Sequence, residues 1–403
     1  MKTDYLCGKL KKYIRLILLL TALSLAVSGN ASAAGEANFR TAVADTSIRL
    51  LRFCLKGNEK KNVLISPDSI LTAMSMVESG ASGKTLTEMK KALGGIPAAS
   101  YKRSITALNR RITGQGKSVY RIANSVWYRK NLMTLKPSYL QELRSVYRAE
   151  SYAEPFDSST VRNMNDWVSR KTEGKIKSIA DRLSSASRLV LMNVVYFRGD
   201  WKEPYTSAEQ RTFRKANGQK QKVSMVEGTE HEYVTLAGGT GFVKDYAGGK
   251  LAFMAVLPPK GMSVSRYLKK LNGKDYIRAY KKRKKSGVSV RTRMPEFRYE
   301  YSRSLKAPLR KLGIRRAFTG AAQFSGMTSA KICIDDIIHK TYIDVNRDGT
   351  EAAAVTAVMM KATSIPDRNK VKKVYLTRPF IYAIIEKQTG IPLFIGAVNE
   401  VTR

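Results

Sequence analysis

The side chains that carry most enzyme chemistry are scarce in this sequence. Its 403 residues hold two histidines, His231 and His339, so a Ser-His-Asp or Cys-His nucleophile would need one of them as its base. His339 lies in the strand-like run Ile337-Ile338-His339-Lys340, where a hydrogen-bonded core imidazole is the expected role. No nucleophile-elbow pattern occurs. Gly83-Lys84-Thr85 ends like a phosphate loop, but Glu78 stands where the first glycine belongs. Asp344-Val345-Asn346-Arg347-Asp348-Gly349 opens like a calcium loop, yet Val355 occupies the twelfth position, which needs a bidentate Glu. The sequence therefore offers no catalytic group, no metal site and no cofactor site.

The stretch that follows Asp348 is unusual in another way. Gly349-Thr350-Glu351-Ala352-Ala353-Ala354-Val355-Thr356-Ala357-Val358-Met359-Met360 is rich in alanine, which alone suggests helix. Taken at period two, Thr350, Ala352, Ala354, Thr356, Val358 and Met360 share one face, small or apolar and without charge. Glu351 and Lys361 lie on the other. Polar and charged residues resume beyond Pro366 with Asp367-Arg368-Asn369-Lys370-Val371-Lys372-Lys373. Such a segment is compatible with two states, an exposed loop and a strand inside a sheet.

The elements around it read as follows. Phe39, Val43, Leu50, Leu51 and Cys54 recur at helical spacing. Asn62-Val63-Leu64-Ile65 reads as a short buried strand, and Ser66-Pro67 as a helix start with Ser66 as cap. Ile70, Leu71, Met74 and Val77 form an apolar face. Thr85-Leu86-Thr87-Glu88 has the capping-box pattern, and that helix ends at Gly94-Gly95. Leu189 to Trp201 reads as a strand buried on both faces. Leu251 to Leu257 is another, and Phe380 to Glu386 with Ile391 to Val398 a closing hairpin. No repeat and no linker divides the chain, so one large α+β domain is expected over residues 34–403.

Residues 1–33 read as an export signal. Lys9, Lys11, Lys12 and Arg15 precede an apolar run from Leu16 to Val27, and Ala31-Ser32-Ala33 gives the small-residue cleavage pattern. Secretion or a periplasmic location is expected, with no later membrane span. Cys54 and Cys333 remain after cleavage, too few for a disulfide framework, and Cys54 reads as a small buried hydrophobe. The net charge of +40 falls to about +36 when a signal with five basic residues and one acidic residue is removed, and such a field attracts polyanions. Lys274, Arg278, Lys281, Lys282, Arg283, Lys284 and Lys285, with Lys269 and Lys270 before them and Tyr267, Tyr276 and Tyr280 interleaved, form the main basic cluster. Lys102, Arg103, Arg110 and Arg111 form a second. No base-reading module accompanies them, so specific nucleic-acid recognition is not expected.

In order and spacing these pieces resemble the serpin family across the mature chain. Asn62 to Ile70 resembles its shutter strand and helix, and Asn193 to Trp201 its third central strand. Ile338-His339-Lys340 resembles the fifth strand, Gly349 to Thr356 the hinge, and Arg378-Pro379-Phe380 the start of the terminal strands. The resemblance implies helices around three β-sheets. It also implies a five-stranded central sheet that accepts the reactive loop, residues 349–373, as an extra strand after a protease cuts it. It assigns Arg347, Gly349, Thr350, Glu351, Ala352, Ala353, Ala354, Val355 and Thr356 to the hinge. Ser66, Ser69, Asn193, Trp201, His339 and Glu296 fall in the shutter and breach. The bait bond, counted from Gly349, is Thr363-Ser364, with Lys361, Ala362 and Arg368 as alternatives. The basic cluster resembles a helix some serpins use for glycosaminoglycans. Partners implied are an elastase-, subtilisin- or trypsin-like endopeptidase, serine or cysteine, and a sulfated glycan or other polyanion, with the inhibitor a monomer. The family's usual Glu–Lys pair beside the hinge has inverted signs here, so an Arg347–Glu296 ion pair is expected. A non-inhibitory carrier or chaperone on the same fold, and a polyanion-binding envelope protein, are the alternatives.

Overall fold

A computed structural model describes residues 35–95, 98–112, 118–285, 287–350 and 371–403. The export signal lies outside them, as do Glu351 to Thr356 of the hinge and Lys361, Ala362, Thr363, Ser364 and Arg368. The chain opens with α1 (35–55), whose helically spaced Phe39, Val43, Leu50, Leu51 and Cys54 are all buried. Then come β1 (Val63–Ile65), α2 (Pro67–Gly80), α3 (Gly83–Ala92), α4 (Ala98–Ile112), β2 (Val119–Arg129), α5 (Pro137–Tyr147) and β3 (Glu150–Glu154). Next are α6 (Ser158–Lys171), β4 (Leu189–Asp200), β5 (Ala208–Arg214), β6 (Lys220–Glu230), β7 (Glu232–Leu236), β8 (Gly239–Asp245) and β9 (Leu251–Leu257). The last part holds α7 (Val264–Lys270), α8 (Gly273–Lys281), β10 (Ser289–Pro295), β11 (Phe297–Ser304), α9 (Lys306–Leu312), β12 (Asp336–Val345), β13 (Gly349–Thr350), β14 (Val371–Tyr375), β15 (Phe380–Glu386) and β16 (Pro392–Val398).

The strands form three sheets, ordered β1-β16-β15-β9-β8-β7, β14-β10-β6-β5 and β11-β12-β13-β4-β2-β3. Together with the helices they give the α+β architecture expected. The third sheet is covered on both faces. On one side it meets the main core, where Phe253 stacks on Tyr382 at 5.5 Å and Trp201 on Tyr246 at 4.6 Å. On the other, Trp127, Met192 and Val194 pack with Met164, Trp167 and Val168 of α6. This double cover explains why β4 is apolar at nearly every position.

Local chemistry explains the boundaries. The Ser66 hydroxyl accepts from the Ser69 N–H at 3.4 Å, and Pro67 occupies the first turn of α2, where its missing N–H is harmless. At the end of α3, Gly94 and Gly95 take φ of 95° and 70°, and the Gly95 N–H reaches the Lys90 carbonyl at 2.9 Å. The capping box expected at Thr85 does not form. The helix starts at Gly83, Thr85 Oγ accepts the Gln323 N–H at 3.0 Å, and Glu88 caps the N–H groups of Arg315 and Arg316. Both side chains are thus drawn to distant segments. Cys54 and Cys333 are free thiols, and burial pushes the Cys54 thiol up to about 11.

Candidate functional site: the gap between β4 and β12

Strands β4 and β12 run parallel and pair from Asp336–Val190 to Thr341–Val195. Above that point they part. The first two hinge residues enter as β13, with Thr350 opposite Val345 on one side and Gly199 on the other, and Gly349 opposite Asp200. The central sheet is therefore the expected five long strands plus the first two residues of a sixth. Thr350 is buried and shares a 2.6 Å hydrogen bond with the Tyr246 hydroxyl, so its side chain faces the main core.

The turn that feeds β13 is pinned from several directions. Trp201, stacked on Tyr246, donates its indole N–H to the Asn346 carbonyl at 3.0 Å. The Trp201 and Tyr205 N–H groups reach the carbonyls of Asp348 and Arg347, each at 2.9 Å. Asn346 Oδ1 accepts from the N–H of Asp348 and Gly349. The calcium-loop look of Asp344 to Gly349 is thus a strand end and a side-chain-closed turn. No group of three metal-ligating side chains occurs among the described residues.

The Arg347–Glu296 ion pair is corrected. Glu296 is buried, and its carboxylate accepts from the Arg347 backbone N–H at 3.2 Å, the Ser224 hydroxyl at 2.6 Å and the Arg403 guanidinium at 3.0 Å. The Arg347 side chain is exposed, with its own neighbour Asp348 at 4.0 Å. Arg403 supplies the counter-charge that sequence reasoning assigned to Arg347.

Lower in the gap Ser66, Asn193 and His339 lie close together. His339 and Asn193 are register partners across β12 and β4. His339 Nε2 accepts the Ser66 N–H at 3.1 Å, Ser66 Oγ donates to the Leu393 carbonyl at 2.8 Å, and Asn193 Nδ2 donates to Asn124 Oδ1 at 2.5 Å. Two further residues join them that sequence reasoning missed. Asp68 is wholly buried, and its Oδ2 accepts the Tyr120 hydroxyl at 3.0 Å. An acid in the first turn of α2 passes for an ordinary dipole companion, and only burial distinguishes it. Asp68 Oδ1, Ser69 Oγ, Asn193 Oδ1 and His339 Nδ1 are buried without hydrogen-bond partners among the described residues. Burial pushes the Asp68 carboxyl up to about 7 and the His339 imidazole down to about 3.

The basic clusters divide. Lys274, Arg278, Lys281, Lys282, Lys284 and Lys285 are exposed. Arg283 is not among them. It is buried, paired with Glu232 at 2.6 Å and stacked 3.7 Å from the Tyr280 ring centroid, so it braces α8 against β7 and leaves the polyanion set. Tyr267, Tyr276 and Tyr280 face the core. In the second cluster Lys102 pairs with Glu142 at 2.7 Å, and Lys102, Arg103 and Arg110 line a groove of about 470 Å³.

Known proteins share this architecture. The serpin family profile (serine protease inhibitor) matches residues 41–401, and the chain belongs to that family. An intracellular coagulation inhibitor of Tachypleus tridentatus is 30% identical over 386 residues, covering 90% of this chain and 91% of its own. An uncharacterized serpin-like protein of Thermococcus kodakarensis is 31% identical over 355 residues, covering 85% of this chain and 81% of its own. The native state of the thermophilic serpin tengpin superposes with a TM-score of 0.85 at 35% identity, over 90% of this chain and 94% of that one.

Two outcomes test the site. In the folded protein Asp68 keeps its proton up to about pH 7, while the unfolded chain releases it near 4, so this group lowers stability as pH rises through that window. His339 does the reverse, because the unfolded chain takes up a proton below about 6.5 that the folded one refuses until about 3. The two slopes oppose each other between pH ~4 and ~6.5. Asp68→Asn is expected to leave the His339 slope exposed, so that variant stability relative to wild type rises by about 1.4 kcal/mol per pH unit there in denaturant titrations. A parallel pH profile in the two proteins would refute the assignment. Separately, Glu296→Gln weakens the hold on the Arg347 N–H, and faster hydrogen exchange at Arg347 is the expected readout.

Proposed function

We propose that this serpin is a suicide-substrate inhibitor of endopeptidases that draws its cut loop into the gap between β4 and β12. The observation that carries the reading is β13: the hinge has its first two residues already hydrogen-bonded between those strands, with Thr350 facing inward. Continuing both registers residue by residue places Thr356 opposite Asn193 on β4 and His339 on β12, and Met360 opposite Leu189 at the end of β4. The inward face would then be Ala352, Ala354, Thr356, Val358 and Met360, none charged. The Thr356 hydroxyl would arrive beside two buried polar atoms that now lack partners, Asn193 Oδ1 and His339 Nδ1. At about 1 kcal/mol net per hydrogen bond, an inserted strand of this length gains on the order of 10 kcal/mol before burial is added, so the uncut form must be held kinetically.

The same register bears on the bait bond. Cleavage at Thr363-Ser364 leaves three residues between the end of the pairing and the attached protease, which keeps it against the end of the sheet. Cleavage after Arg368 leaves eight, up to about 27 Å of slack, enough for the protease to recover its geometry. Cleavage after Lys361 or Ala362 gives a tighter tether than Thr363 and remains compatible with trapping.

The chain is expected to act after export, on the pattern of residues 1–33, and the exposed cations of α8 and its following turn are expected to attract sulfated glycans. Elution from a heparin column only above physiological salt supports a dedicated site, whereas elution below it leaves a plain basic surface.

The central test mixes the mature protein with elastase-, subtilisin- and trypsin-like proteases. A covalent complex that survives denaturing gels, with a released fragment beginning at Ser364, is the expected result. Cleavage without a complex would turn the protein into a carrier or binding protein on a serpin fold. Ala354→Arg puts a charge on the inward face and is expected to abolish the complex while cleavage persists, raising the stoichiometry of inhibition roughly tenfold or more. Undiminished complex formation by that variant would sink the insertion register.

A further inference from the structure

The sheet β14-β10-β6-β5 lies between the two ends of the loop. At one end of β10, Glu296 follows Pro295 and holds the Arg347 N–H just before the hinge. At the other end Ser289 pairs with Val371, where the chain returns as β14. A seven-residue strand is about 20 Å long, and a protease domain of about 230 residues has a radius of gyration of about 17 Å. On the inhibitor reading, a protease that attacks the loop would come within reach of this sheet.

Two neighbouring rows on the outer face of the sheet differ sharply. In one, Tyr375, Arg293 and Glu227 are successive cross-strand partners. Arg293 pairs with Glu227 at 2.7 Å, and its guanidinium lies 4.7 Å from the Tyr375 ring centroid, so the row is internally satisfied. In the next row Lys373 stands directly opposite Arg291, and Arg291 opposite Thr229. Lys373 and Arg291 are exposed, and no carboxylate among the described residues pairs with either. Like charges placed directly across a strand pair repel. The isolated protein therefore carries an unfavourable contact that an anionic partner would relieve.

Resting on the inhibitor reading, we propose that the Lys373–Arg291 row is a docking surface for an acidic rim around the target protease's active site, engaged before the loop is cut. It would act on the rate of encounter and on the choice among proteases of similar pocket, not on the trapping step.

The test uses the full mature chain and subtilisin in two forms, native and with its surface lysines succinylated to make it anionic. Wild type is expected to associate faster with the succinylated enzyme, with a rate that falls steeply between about 20 and about 300 mM salt. The double variant Arg291→Glu/Lys373→Glu is expected to lose roughly tenfold or more of that rate and most of the salt slope, yet to form as much covalent complex per mole. Arg291→Gln/Lys373→Gln should fall between the two, and equal thermal unfolding of all forms excludes a folding defect. The control Lys90→Glu/Lys91→Glu, on exposed positions of α3, should change the rate by less than about twofold. An equal loss in the control would assign the effect to the field of the whole molecule and overturn the docking row. Unchanged rates in both would overturn it too, with the inhibitor reading intact. No complex from wild type with either enzyme would remove the inhibitor reading and the docking row with it.

Discussion

Between β4 and β12 the chain keeps a parallel pairing, and much of the structure around it serves to hold that pairing at one end and part it at the other. At the lower end Ser66, His339, Asn193 and Asn124 tie α2, β12, β4 and β2 together with buried hydrogen bonds. At the upper end Trp201, Tyr246 and Glu296 hold the turn so that Gly349 and Thr350 wedge the two strands apart. On the proposed mechanism, insertion exchanges one parallel pairing for two antiparallel ones. Parallel ladders are slightly weaker per residue, and the exchange adds a whole strand of hydrogen bonds. On that mechanism the chain would have a lower-energy arrangement within reach, opposed by the polar contacts that keep the gap closed.

Charge is arranged around this gap under an unusual constraint. Lysine and arginine number 72 against 32 aspartates and glutamates, so carboxylates are too few to neutralise every cation. Buried and half-buried acids are placed where they hold the architecture: Glu230 on Lys244 at 3.0 Å, Glu232 on Arg283, Glu296 on the hinge turn. Such pairs are expensive to bury but very costly to break singly, which makes them fixed points. The remaining cations lie on the surface, and most can spread apart in water. Lys373 and Arg291 cannot, because the strand register sets them face to face.

The strands, including Gly349–Thr350 of β13, were legible because they rest on periodicity, which is a property of the chain itself. Leu189 to Trp201 is apolar at both parities because two layers cover it, and the period-two face after Gly349 continues the parity that Thr350 shows in β13. What stayed hidden depends on contacts between distant segments. Thr85 and Glu88 have the spacing of a capping box, but Gln323 and Arg315 capture them. Arg347 and Glu296 have complementary signs, but complementarity does not say which atom is presented, and Arg403, more than a hundred residues from Glu296, takes the side-chain role. Arg283 counts as one more cation in a basic run until the turn after α8 brings it inward beside Tyr280. Asp68 has no sequence signature at all, since the same residue in an exposed first turn would be unremarked.

The buried acid and the buried histidine also bear on how the gap is kept shut. Four polar atoms beneath it lack partners among the described residues, and each such atom disfavours the closed arrangement by roughly 1–3 kcal/mol. A closed state with every polar group satisfied would hold the loop out more firmly but would gain less from taking it in. On the proposed register, Thr356 brings a hydroxyl to the level of two of the four, and a hydroxyl can donate to Asn193 Oδ1 while accepting from a neutral imidazole N–H at His339 Nδ1. That arrangement requires His339 to stay neutral with its proton on Nδ1, which its bond from the Ser66 N–H to Nε2 already enforces. On the proposed mechanism, the contact that closes the gap in the uncut protein would thus prepare the same histidine to receive the inserted strand.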